Sequence, residues 1–128
     1  MKDETKLWLA YSEENLKSAK LLIESHLYNP VLQNVQQCVE KTLKSILLEN
    51  SIKLKRTHDI FELKTMVSNI GIDIALSDDE CDFLNSIYLP SKYPIGSSLP
   101  EFDPDEKICA KAIKIAESTL NKTNSILK

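Results

Sequence analysis

The fold class this sequence predicts is all-α, an up-and-down bundle of about five helices around a four-helix core, and three observations predict it. Residues 30–50 carry an apolar stripe at helical spacing: Val31, Val35, Cys38, Val39, Thr42, Leu43, Ile46 and Leu47. The chain has only 2 glycines in 128 residues. That is too few for the tight turns of a β-sandwich, or for a glycine-rich loop that cradles phosphate. No stretch alternates apolar and polar residues with turns at hairpin spacing. Hydrophobic residues make up 42% and charged residues 27%, a globular balance rather than a disordered one. No repeat or break in composition divides the chain, so residues 1–128 read as one domain.

Taken in order, the first helix is expected from about Glu4 to Ser25, with Leu9, Leu16, Ala19 and Ile23 on one side. Asn29-Pro30 closes the connection, and Pro30 suits the first turn of a second helix that runs to about Asn50. That helix has the clearest periodicity and is expected at the centre. After the basic stretch Lys53-Leu54-Lys55-Arg56, Thr57 is the expected cap of a third helix carrying Ile60, Leu63, Val67 and Ile70, with Gly71 as its stop. Ser77-Asp78-Asp79-Glu80 places a hydroxyl three residues before a carboxylate, a capping box. It should open a short fourth helix with Phe83, Leu84, Ile87 and Tyr88 that ends before Pro90. Leu89 to Pro104 contains four prolines and Gly96 and reads as a long functional loop. The last helix starts near Asp105 and carries Ile108, Ala112, Ile115, Ala116, Thr119 and Leu120.

A formal charge of −3 argues against general polyanion binding. No apolar run is long enough to span a membrane, and Met1-Lys2-Asp3-Glu4 leads into an amphipathic pattern without a signal-peptide block. Cys38, Cys81 and Cys109 are odd in number and far apart, which fits a reduced, cytoplasmic protein better than a disulfide framework. No His, Cys, Asp or Glu group has metal-ligand spacing, so neither metal nor cofactor is expected.

Four short motifs fall in order. Gln36-Gln37-Cys38-Val39-Glu40-Lys41-Thr42-Leu43-Lys44 resembles the QQ-x-x-EK-x-x-K signature of HEPN domains (higher eukaryotes and prokaryotes nucleotide-binding). Thr57-His58-Asp59-Ile60 is similar to that family's THDL element, and Tyr88-Leu89-Pro90-Ser91-Lys92-Tyr93-Pro94 to its Y-x-x-x-RYP loop. The opening, Trp8-Leu9 with Leu16, Ala19 and Leu22, is similar as well. Together they cover nearly the whole chain. The resemblance implies a five-helix bundle, frequently a homodimer, acting with a small nucleotidyltransferase in toxin–antitoxin pairs or related systems. Several branches of the family are metal-independent ribonucleases.

Those ribonucleases use an arginine followed, after four to six residues, by a histidine. Here the only arginine is Arg56 and the histidines are His26 and His58, separated from it in the wrong direction or by one residue. The motif is absent, and Lys92 stands where the family's loop arginine would give a bidentate fork. Binding is therefore expected over cleavage. Lys41 and Lys44 lie within a turn of each other on the second helix. His58 can add a proton-dependent donor at the head of the third, where free amides favour an anion. Tyr88, Lys92 and Tyr93 can supply a cation and stacking rings. These six are the expected ligand-binding residues, for a nucleotide or RNA. Structural roles stand against this reading: Glu40 and Lys44 form an ordinary i,i+4 pair on an exposed face, Gln36 and Gln37 tie neighbouring segments, His58 serves the helix start, and Tyr88 and Tyr93 pin the loop to the bundle. Two alternatives accompany this reading, a ribonuclease toxin with His58 as proton carrier, and a target of nucleotide modification on Tyr88 or Tyr93.

Overall fold

The computed structural model describes residues 1–92 and 104–127 and contains, among them, five helices and no strand. They are α1 (Asp3–Glu24), α2 (Tyr28–Glu49), α3 (Ile60–Asn69), α4 (Asp78–Lys92) and α5 (Glu106–Leu127). The predicted all-α bundle is what forms. α2 is the central element and packs against each of the other four. Val31, Leu32, Val35, Cys38, Val39, Leu43, Ile46 and Leu47 are all fully buried on it. At about 1.5–3 kcal/mol for each large apolar side chain taken from water, α2 dominates the driving force for collapse.

α1 lies antiparallel to α2, so the start of one meets the end of the other. Glu49, the last residue of α2, accepts from the Lys2 backbone N–H and from the Thr5 hydroxyl, both at 2.9 Å. A carboxylate from another helix thus supplies the cap that α1 lacks in its own sequence. Foremost the Lys2 N–H, and then the Thr5 hydroxyl, hold the Glu49 carboxyl below the usual carboxylate range. The buried face of α1 is Thr5, Leu9, Ser12, Leu16 and Ala19. α5 starts beside the start of α2, where the Cys109 thiol donates to the Tyr28 carbonyl at 3.6 Å. The core is completed by Cys109, Ala112, Ile113, Ile115, Ala116 and Leu120 of α5.

Helix ends follow local chemistry. At Ser77 the expected capping box is present in both directions: its Oγ accepts from Glu80 N at 3.1 Å, and Glu80 Oε1 accepts from Ser77 N at 2.9 Å. Gly71, with φ +83°, stops α3. Its N–H reaches the Ser68 carbonyl and that of Ile72 the Val67 carbonyl, a Schellman ending. α1 and α2 end with the same bond pattern, but His26 and Ser51 occupy the left-handed position.

Three boundaries differ from expectation. α2 begins at Tyr28, so Pro30 falls third in its first turn, where a missing N–H costs nothing. The cap of α3 is Asp59 rather than Thr57, because Asp59 Oδ1 accepts from Glu62 N at 3.2 Å. Thr57 instead takes the Asp59 N–H and donates to Glu62. α4 does not end before Pro90 but continues through it to Lys92. A proline close to a helix end forgoes a single hydrogen bond, a smaller loss than in the interior. Most of the proline-rich stretch, residues 93–103, lies outside the described residues.

Candidate functional site

α2 carries, beside its apolar stripe, a polar line at four-residue spacing: Gln36, Glu40 and Lys44. All three are buried, with relative exposures of 0%, 8% and 7%. Glu40 and Lys44 pair at 2.9 Å. The expectation of an exposed i,i+4 pair is thereby corrected, since α1 and the segment before α3 cover this side of α2. Glu40 Oε1 lies 2.8 Å from His58 Nδ1. Gln36 Nε2 donates to the His58 carbonyl at 2.9 Å. His58 itself stands at the surface with a 66% exposed side chain, just ahead of α3.

The ring of Tyr88, near the end of α4, lies 5.6 Å from the His58 ring at a 36° tilt. On the other side, Lys44 Nζ is 6.0 Å from the centre of the Trp8 ring. With Trp8 of α1 behind them at Lys44, residues from α2, the α2–α3 connection and α4 therefore converge around one histidine. Local bonds hold it in place. Asn85 of α4 accepts from Ile60 N at 3.0 Å and donates to Asp59 at 2.9 Å, which pins the head of α3 to α4. Lys55 and Glu62 pair at 2.8 Å across the connection. That hydrogen bond from Lys55, followed by the one from Thr57, keeps the Glu62 carboxyl below its ordinary range.

Of the six expected ligand-binding residues, His58, Tyr88 and Lys44 come together, but Lys44 stands behind Glu40 rather than at the surface. Lys41 points along the α1–α2 seam, donating to Asn15 Oδ1 at 2.8 Å with its Nζ 5.8 Å from the Tyr11 ring. Lys92 is the last residue of α4, and its side chain lies outside the described residues, as does the whole of Tyr93. Glu40 and Asn85 were not among the expected site residues. The signal for Glu40 is the line Gln36, Glu40, Lys44, three polar residues in register on a helix that is otherwise apolar on that side. No comparable signal marks Asn85, whose role depends on how α3 meets α4.

Among the described residues, no group of three or more His, Cys, Asp or Glu is placed to hold a metal ion. Nor is any described helix long and apolar enough to cross a membrane.

The family model described as HEPN domain matches residues 5–126. The chain belongs to the HEPN family. Its fold is that of solved relatives: TT1696 from Thermus thermophilus superposes with a TM-score of 0.78 at 20% identity, covering 98% of this chain and 100% of that one. ST0689, described as an archaeal HEPN homologue, superposes with a TM-score of 0.65 at 25% identity over the full length of both. In sequence, the chain is 39% identical over 51 residues to "Putative toxin MJ1304" of Methanocaldococcus jannaschii. That match takes in 40% of this chain and 34% of the relative, so the chain spans about a third of that relative's length. The EK pair of the HEPN signature acquires a physical meaning here. Its glutamate faces the histidine of the THDL-like element, and its lysine turns to the α1–α2 seam.

Proposed function

We propose that this HEPN domain is a binding module that takes a nucleotide or RNA at His58 and acts, as a homodimer, with a small nucleotidyltransferase in a toxin–antitoxin-like system. The observation that carries the reading is the exposed His58 ring held by buried Glu40. A surface histidine without a role needs no such anchoring, whereas a ligand-contacting one gains from a fixed ring. Tyr88 beside it provides an apolar edge, and α4 leads directly to Lys92 and the segment carrying Tyr93. The likeness to a protein named as a toxin supports the setting. Partner and dimer rest on the family resemblance.

Tagged protein recovered from its native extract at low salt, and analysed by mass spectrometry, tests the partnership. A stoichiometric small nucleotidyltransferase is the expected outcome; recovery of this chain alone removes the partner from the account. Sedimentation velocity of the purified protein tests the dimer.

One observation favours a second reading. An oriented Glu–His pair whose ring is 66% exposed is also a proton-transfer arrangement, so His58 serves equally as the proton carrier of a metal-independent ribonuclease. Expression of the chain would then arrest growth, and His58→Ala would relieve the arrest. Modification of a tyrosine finds less support at Tyr88, which is buried; on that reading the receiving residue is Tyr93.

A further inference from the structure

The polar line on α2 is unfavourable for the fold taken alone. A buried ion pair seldom gains stability over apolar side chains of the same volume. Gln36 adds to the cost, because its Oε1 is buried and has no hydrogen-bond partner among the described residues. What the three residues share is His58. Gln36 holds its backbone carbonyl, Glu40 faces its Nδ1, and Lys44 occupies the remaining carboxylate oxygen.

We infer that Glu40 is a positioning residue, which fixes the neutral His58 ring in the tautomer protonated at Nδ1 and leaves Nε2 as a bare acceptor turned away from the protein. A carboxylate can only accept, so a neutral ring in this contact must place its one proton on Nδ1. Lys44 steadies the carboxylate by sharing its charge, and the Tyr88 ring restricts rotation of the imidazole. The inference rests on the reading that His58 meets the ligand, and it sharpens the ligand's chemistry. A neutral ring so fixed accepts a hydrogen bond from a hydroxyl, such as a ribose 2′- or 3′-hydroxyl. A phosphate oxygen would require a second proton on the ring. The group recognised at His58 is then the sugar of a nucleotide, with its phosphate left to other residues.

Protein labelled with 15N in histidine, examined by two-bond 1H–15N correlation at alkaline pH, reads the tautomer directly. For His58 the expected result is a protonated Nδ1 and a bare Nε2. The same measurement on the double variant Glu40→Leu/Lys44→Met, which removes the pair without stranding either charge, should show loss of that asymmetry. The His26 signals, from the α1–α2 connection, should stay in place and report an intact fold. A wild-type ring protonated at Nε2, or a double variant that keeps the Nδ1–H form, overturns the inference. If the variant does not fold, the wild-type spectrum still decides, since the Nδ1–H form is required. Adenosine 5′-monophosphate then serves as the probe. A shift of the His58 ring signals in the wild type that the double variant loses supports both readings. A fixed tautomer with no response to the nucleotide leaves Glu40 as the positioning residue and removes the nucleotide reading instead.

Discussion

At the scale of single residues, two positions in the α3–α4 connection make opposite predictions from the same geometry. Gly71 and Ala75 both have left-handed backbone, with φ of +83° and +59°. A Cβ added at Gly71 would meet nothing within 4 Å. Gly71→Ala is therefore expected to cost about 1 kcal/mol through backbone strain alone, without a clash. Ala75→Gly, at an exposed position, should stabilise by a few tenths of a kcal/mol to about 1 kcal/mol, since relief of strain outweighs the extra entropy of the unfolded chain. Urea unfolding of the two variants checks both signs. The buried pair gives a third comparison. Lys44→Met alone strands the Glu40 carboxylate against a partly wet histidine and should cost about 2–3 kcal/mol, less than in a dry interior. The double variant Glu40→Leu/Lys44→Met should recover most of that loss, and additivity of the two single changes would contradict the pairing.

At the scale of elements, the helix starts add smaller, separable contributions to what the core provides. Ser77→Ala removes the hydroxyl that accepts from Glu80 N, while the backbone N–H of residue 77 can still reach Glu80; the change is expected to cost about 1 kcal/mol, readable as a lower urea midpoint. The start of α1 depends instead on Glu49, and this has a pH signature. Its carboxyl is depressed below the ordinary 4.5. The contribution is therefore complete above that value and is lost as pH falls through the depressed one. Thermal unfolding followed from pH 7 to pH 2 should show a Tm that declines below about pH 4.5, and Glu49→Gln should reduce the slope of that decline. Much of this level was legible in the sequence. All five helices, the Ser77–Glu80 box and the Gly71 stop follow from short-range spacing. The differences arose where a distant residue decides. Asp59 caps α3 with support from Asn85, Glu49 caps α1 from across the bundle, and α4 passes through Pro90 where local rules end it. The candidate site was legible only in its residue types. His58 and Tyr88 stood out as residue types in motifs. The burial of Glu40 and Lys44 depends on which helices cover α2, and periodicity shows an apolar face without showing what else is covered.

At the scale of the whole molecule, the bundle should behave as one cooperative unit, because every other helix rests on α2. Leu43→Ala, at a fully buried position of that helix, is expected to cost about 2–5 kcal/mol and to lower the urea midpoint measured at any probe alike. The cysteines give an independent reading of the same cooperativity. All three are buried, and burial pushes the Cys38 thiol up to about 12 and those of Cys81 and Cys109 to about 11. At pH 8 the folded protein should thus resist a thiol reagent, with all three sites becoming reactive in step with global unfolding. Since the folded state holds these protons more tightly than the unfolded chain, stability should fall as pH rises from the ordinary thiol value of 9 toward 11.

The position of the polar line on the most enclosed helix has a mechanical consequence. Four neighbours clamp α2, so it cannot tilt or slide to meet a guest without displacing the entire core, and close-packed interiors resist such displacement. On the proposed reading, Glu40 and Gln36 tie the His58 ring and its carbonyl to that same helix, so the ring meets a guest in a set orientation. The histidine is then a fitting bolted to an immovable post, and recognition there, on that reading, selects guests that match a shape already set.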